Sequence, residues 1–292
     1  NFDFLVLTET WTHRTVIVPS FVCFNSIDNN KSNTSGKVSG GVMILFKKDL
    51  TTKLVLQKTS KNFVWCQIDK SLVGTDKHLY LCGAYIPPEN SHHYSNDLFE
   101  ELENDISHFR SKGKIMLLGD LNARTGKSND YITADGNHFL CSGILEEQAA
   151  FAETRNNLDN NINNHGKFIL EICKNFDIRI LNGRFRGDSL GNFTYHGRNG
   201  NSTIDYIICD QMLFNNVEYF IVKQPTYLSD HSQIVVWIKT PSLYIDNQVP
   251  QDTTPLKSLP TQFIWDGNSP EQFKVALSSH NCQLLTDEFL NV

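Results

Sequence analysis

The feature that most limits what this chain can become is a recurrence of short apolar runs. They fall at 4–7, 21–24, 42–46, 54–56, 63–68, 79–86, 115–118, 178–181, 204–208, 217–222 and 233–238, most of them bounded by Gly, Asn, Asp or Ser. Val, Ile, Phe and Tyr dominate these runs, and such residues between turn formers predict strands. Two segments carry helical spacing instead: Leu98, Leu102, Ile106 and Phe109 behind Ser95 as a cap, and Phe168, Leu170, Ile172 and Phe176 within 166–176. Many strands with a few long helices predict an α/β (α+β) fold, a four-layered sandwich of two packed, mostly antiparallel sheets flanked by helices. The order of elements is too irregular for a Rossmann fold or a barrel.

The strand-rich part, 1–240, stops where prolines become frequent. Five of the nine (241, 250, 255, 260, 270) lie among Thr, Ser, Gln and Asp, which predicts a linker over 241–268. Ser269-Pro270-Glu271 then opens a short helical tail over 269–292.

At 292 residues, with 40% apolar and 20% charged side chains, the chain can bury a substantial core. It contains no apolar run approaching the roughly 18 residues of a membrane span, and no basic region opens it as in a signal peptide. It starts at Asn1 and enters the run Phe4–Leu7 almost at once, as a fragment missing an upstream strand would. The cysteines at 23, 66, 82, 141, 173, 209 and 282 form no CxxC pair or zinc-like spacing, so they are expected reduced and structural. With an intracellular location the sequons at Asn33, Asn192 and Asn201 read as chance matches. A net charge of −6 speaks against gripping nucleic acid by bulk electrostatics. A metal site would reconcile the two, because it concentrates acids and its cation reverses the local field.

Four clusters sit at the C-terminal ends of apolar strands, where side chains can share one cleft: Leu7-Thr8-Glu9-Thr10-Trp11, Gly119-Asp120-Leu121-Asn122, Thr203-Ile204-Asp205-Tyr206 and Ser229-Asp230-His231. Each alone reads as a turn or cap, the ordinary use of Asp and Asn at strand ends. Asp205 is harder to dismiss, since an acid flanked by Ile204 and Tyr206 is costly to desolvate without a partner.

In this order, LTET, GAYIPP (83–88), GDLNA (119–123), STIDYII and LSDHS resemble the motifs of the endonuclease/exonuclease/phosphatase superfamily over about residues 2–240. The likeness is greatest to the endonuclease domains of non-LTR retrotransposons. The resemblance implies a Mg²⁺-dependent phosphodiesterase, with Mn²⁺ as a substitute, that nicks DNA as an apurinic-type endonuclease does. By residue-wise carry-over, Glu9 holds the metal and Asp230 is a phosphate-side or second-metal ligand. Asp120 activates water, and Asn122, two residues on and so on the same strand face, donates to hold the phosphate or that water. His231 donates to the scissile phosphate, Asp205 charges and holds that imidazole, and Tyr85 is a phenol donor.

Asn192-Phe193-Thr194-Tyr195-His196 before the Asp205 strand reads as a hairpin. In the retrotransposon branch a Thr at the place of Thr194 lies near DNA, and Ser229 precedes Asp230-His231 as it does there. The same resemblance implies a downstream reverse transcriptase domain beyond this chain and action in the nucleus. It also implies that the family's first strand, which brings an Asn to the metal site, precedes residue 1. Two alternatives remain at this point: a phosphatase or phospholipase-like enzyme on the same scaffold, and an inactive remnant.

Overall fold

Within the residues that the computed structural model describes (2–12, 16–26, 40–132 and 155–240), every predicted apolar run becomes a strand. The expected linker at 241–268 and tail at 269–292 lie outside those residues. The strands are β1 (Phe4–Thr8), β2 (Phe21–Asn25), β3 (Val42–Lys47), β4 (Leu54–Thr59), β5 (Phe63–Ile68), β6 (Leu79–Tyr85) and β7 (Lys114–Asp120). They continue with β8 (Ile178–Ile180), β9 (Tyr195–Gly197), β10 (Gly200–Ser202), β11 (Asp205–Asp210), β12 (Val217–Val222) and β13 (Ile234–Ile238). Between them stand α1 (Lys70–Val73), α2 (Asp97–Arg110), α3 (Asn164–Phe176) and α4 (Gln211–Phe214).

Six strands form one sheet in the order β4-β5-β6-β7-β11-β8. The β6–β7 pair is parallel and its other pairs are antiparallel. A three-stranded sheet, β1-β3-β2, and a two-stranded one, β12-β13, supply a second layer, and β9-β10 form the predicted hairpin.

Strand alternation decides which residues meet which layer. Trp65, Tyr80, Cys82, Leu117, Tyr206 and Ile208 share a core with Phe99, Leu102, Ile106 and Phe109 of α2 and Ile169 and Ile172 of α3. The intervening residues, among them Val64, Leu81, Met116, Leu118, Ile207 and Cys209, pack with Ile44 and Phe46 of β3 and Phe220 of β12. Each such fully buried large side chain contributes about 1.5–3 kcal/mol. All five cysteines among the described residues are free.

The helix starts differ slightly from the sequence expectation. Helix α3 begins at Asn164, ahead of the expected 166, where Asn163 caps it by accepting from the Gly166 N–H at 2.8 Å. At α2, Ser95 Oγ accepts from the Asp97 N–H at 3.3 Å while Asn96 occupies the cap position.

Candidate active site

Three of the expected site residues lie side by side across the middle of the large sheet. In the strand register Tyr85 faces Asp120, and Asp120 faces Asp205. Their parity is that of Leu81, Leu118 and Ile207, so all three side chains belong to the face that meets the second layer. Tyr85, Asp120 and Asp205 are all buried. The sequence suggested that every cluster sits at the C-terminal end of a strand. Asp205 instead starts β11, because that strand runs antiparallel to β7 and presents its beginning where β7 presents its end.

Asn122 reaches Asp120, but not by strand alternation. Strand β7 ends at Asp120, and Asn122 has φ +46°, the left-handed conformation that Asn tolerates better than most residues. The turn brings its backbone N–H to Asp120 Oδ1 at 2.9 Å. Its side-chain amide donates to Asp120 Oδ2 at 3.1 Å and to the Ile86 carbonyl at 2.9 Å. Gly119 is needed one residue before Asp120, since at φ +148° a Cβ would lie 1.9 Å from the Ala84 oxygen.

His231 arrives from the segment ahead of β13, and Nδ1 lies 2.9 Å from Asp205 Oδ2 and 3.1 Å from Oδ1. The hairpin fixes this segment. Ser232 N–H donates to the Thr194 carbonyl at 2.7 Å, His196 N–H donates to the Asp230 carbonyl at 2.8 Å, and Tyr195 bridges to His231. The Tyr195 ring stands edge-on to the imidazole at 5.1 Å.

Ser229 is exposed, and its hydroxyl accepts from the His231 N–H at 3.0 Å in a local turn. Thr194 was expected beside the DNA, and its placement corrects that role. It is fully buried, and Oγ1 accepts from the Ile204 and Asp205 N–H groups, each at 3.0 Å. The residue braces the Asp205 backbone and does not face solvent. The sequence reading missed Tyr195 as a neighbour of His231. It also missed Asn182, whose side chain donates to the Asp205 carbonyl at 3.1 Å and accepts from the Ile207 N–H at 3.3 Å. The position of Tyr195 in the quoted hairpin was the available signal for the first; nothing local marked Asn182.

Glu9 follows β1 in the left-handed region (φ +52°), and its Oε1 accepts the Tyr85 phenol at 2.6 Å. Gly40 permits this approach, because a Cβ there would lie 3.0 Å from the Tyr85 ring. Burial, then the Glu9 carboxylate beside it, drives the Tyr85 phenol upward from its ordinary value, so it stays a donor. Asp230 stands apart, exposed on the rim of a cavity of about 890 Å³ that the hairpin also lines.

The charges converge on Asp120. Burial, then the charge of Asp205, pushes its carboxyl well above the ordinary carboxylate range, against the opposing Asn122 hydrogen bond and His231 charge. For His231, burial favours the neutral ring, but the Asp205 hydrogen bond and the charges of Asp205, Asp120 and Asp230 outweigh it and raise the imidazole to about 9. Ligand atoms of Asp120, Asp205 and His231 all lie within 4.8 Å of one another. A buried carboxyl that the neighbouring acids force toward protonation is an excess of negative charge, and hard carboxylate oxygens are the donors a small divalent cation takes. The residues present therefore fit such a cation.

Comparison with known proteins agrees with the motif order. The sequence model described as the endonuclease/exonuclease/phosphatase family matches residues 1–231. No curated protein matches the chain significantly. The fold is similar to that of the endonuclease domain of TRAS1, a telomere-specific non-LTR retrotransposon, at 16% identity and a TM-score of 0.52, covering 81% of this chain and 86% of that one. It is also similar to the AP endonuclease LMAP from Leishmania major (11%, TM-score 0.59, covering 82% and 79%) and the APE2 catalytic domain from Xenopus laevis (14%, TM-score 0.57, covering 81% and 83%).

Proposed function

The chain belongs to the endonuclease/exonuclease/phosphatase family, and from that membership and the site geometry we propose that it hydrolyses phosphodiester bonds in DNA with Mg²⁺, nicking one strand. The carrying observation is the lateral row Tyr85–Asp120–Asp205 completed by the Asp205–His231 hydrogen bond of 2.9 Å.

A bound Mg²⁺, or Mn²⁺ in its place, would supply Lewis-acid stabilisation of the phosphoryl and leaving oxygens. Glu9 is the carboxylate assigned to hold it, and Asp230 is a further candidate ligand. Asp120, fixed by two hydrogen bonds from Asn122, orients and deprotonates the attacking water. Asn122 keeps that carboxylate in one orientation. Asp205 engages His231 at Nδ1, which leaves Nε2 on the far side of the ring to donate to a non-bridging phosphate oxygen as charge builds there. Tyr85 gives its one phenol proton to Glu9, so it would donate to the phosphate only once Glu9 has turned to the metal. The likeness to the TRAS1 endonuclease domain and to an AP endonuclease favours DNA as the substrate and a retrotransposon polyprotein as the source. A reverse transcriptase domain downstream and action in the nucleus would follow from that source.

Plasmid nicking tests the reading. The protein should convert supercoiled to open-circular DNA with Mg²⁺ and not with EDTA, and Asp120→Ala and His231→Ala should each abolish conversion. Release of phosphate from an inositol phosphate without nicking would replace DNA by a phosphatase substrate. Near-normal nicking by either variant would overturn the residue roles.

A further inference from the structure

Immediately before Asp230 and His231 the chain makes a tight turn in which Thr226 and Ser229 bridge antiparallel. The two residues at its tip are Tyr227 and Leu228, 96% and 79% exposed, and Tyr227 is the most exposed large apolar side chain among the described residues. Turn tips ordinarily carry Gly, Asn, Asp, Ser or Pro. Neither turn geometry nor core packing accounts for a tyrosine and a leucine here.

The turn is also well fixed. Leu228 N–H donates to Thr226 Oγ1 at 3.3 Å, Ser229 Oγ holds the His231 N–H at 3.0 Å, and Lys223 N–H donates to the Gln233 carbonyl at 2.8 Å across the loop base. Four residues of chain span at most about 14 Å, so Tyr227 stays within that reach of His231. A phosphate seated at His231 therefore brings its own nucleotide, or the next one, to the turn. The hairpin on the other side of Asp230 carries the exposed Arg198 into the same cavity, with Arg124 deeper in it. Arg124 is already committed to Asp159, and Asp230 is the acid on this rim, so among the described residues lining the cavity Arg198 is the arginine placed to follow a backbone phosphate.

We propose that Tyr227 and Leu228 form a stacking wedge. The Tyr227 ring lies on a nucleobase beside the scissile phosphate and Leu228 fills the step opened next to it. An apolar pair on a fixed turn beside a phosphate site matches how proteins unstack bases, and every base offers a π face to an aromatic ring. The substrate selected is DNA whose bases at the cut are unpaired or easily unstacked, such as a mismatch or a pyrimidine–purine step. This inference rests on the DNA reading above and adds what determines where the strand is cut.

The test uses the full chain as wild type, Tyr227→Phe, Tyr227→Ala and Leu228→Ala. Binding is read in EDTA from the fluorescence of 2-aminopurine placed beside the cleavage position. Hydrolysis is read with Mg²⁺ on the same duplex and on bis(4-nitrophenyl) phosphate, which has no base. Wild type and Tyr227→Phe should alter the 2-aminopurine signal alike, and Tyr227→Ala should not. On DNA the KM of Tyr227→Ala should rise roughly tenfold, within the range of one base–aromatic stack, with a clearly smaller change on the ester. Leu228→Ala should narrow the preference for mismatched over paired duplex. Equal DNA KM and fluorescence in wild type and Tyr227→Ala would overturn the wedge while leaving the DNA reading intact. A wild type that hydrolyses the ester yet neither binds nor nicks DNA would overturn both. If nothing is hydrolysed, the signal in EDTA still decides the wedge.

Discussion

Thr194 Oγ1 accepts the backbone N–H of Asp205 at 3.0 Å, and the N–H of Ile204 at the same distance, inside a site where Thr194 has no exposure at all. One hydroxyl thus sets where β11 begins and where the Asp205 carboxylate stands. Thr194→Val keeps the shape and strands two buried donors, each costing about 1–3 kcal/mol. A fall of several degrees in Tm is expected, together with a drop in kcat, since Asp205 would no longer be held against His231. Thr194→Ser should restore both. If Thr194→Val kept wild-type kcat and Tm, the bracing role would be wrong.

The Asp205–His231 pair predicts a basic limb in the activity profile. Burial opposes protonation of His231, but the Asp205 hydrogen bond and the surrounding acids raise it to about 9. As a donor to phosphate the ring must be protonated, so kcat should fall as pH rises through that value. The stability sign is the same. A folded pKa above the unfolded value of about 6.5 gives stabilisation that is complete below 6.5 and lost as pH rises through about 9. Asp205→Asn removes the charge and should move the limb toward lower pH in a pH–rate profile at saturating DNA. An unmoved limb would assign it to another group.

Asp120 predicts a conflict between stability and function. Burial and the nearby Asp205 charge raise its carboxyl well above the ordinary range, so ionising it costs folding free energy at neutral pH. Asp120→Asn can still accept the Asn122 N–H and removes that cost. In metal-free buffer its Tm should rise by a few degrees, on the scale expected for about 1 kcal/mol, while nicking is lost. Wild type should gain thermal stability on adding Mg²⁺, and the variant should gain less. A variant less stable than wild type without metal would show that the acids do not strain the fold.

How much of this was visible in the sequence depends on what each residue answers to. The strands followed from short apolar runs because burial between layers acts residue by residue, and β5 coincides with its run at 63–68. Strand direction is not written locally, so Asp205 was placed at the wrong end of its strand. Asn122 was brought to Asp120 by an alternation rule, whereas the left-handed turn after Gly119 does so. Thr194 looked like a surface contact because a hairpin residue gives no local sign of which side it faces. Glu9 was legible as an acid after a strand, but its bond to Tyr85 crosses 76 positions. Only packing β1 near β6 creates that bond.

Beyond the site, the buried pair Asp130–Arg184 sets a second pH limit. Arg184 Nη1 and Nη2 each donate to the Asp130 carboxylate at 2.7 Å, and the Ile180 N–H adds a third bond at 2.8 Å, tying the loop after β7 to β8. Both side chains are essentially inaccessible. Burial pushes the Asp130 carboxyl up, but the Arg184 bonds and charge outweigh it and hold the group below its ordinary value. A depressed folded pKa gives stabilisation that is present above the unfolded value of about 3.9 and lost as pH falls through the folded one. Asp130→Ala leaves a buried guanidinium without its carboxylate and should cost about 3–5 kcal/mol. Asp130→Asn keeps the shape, should cost less, and should flatten the acid side of a plot of Tm against pH. An acid limb as steep in Asp130→Asn as in wild type would place that limit on other carboxylates.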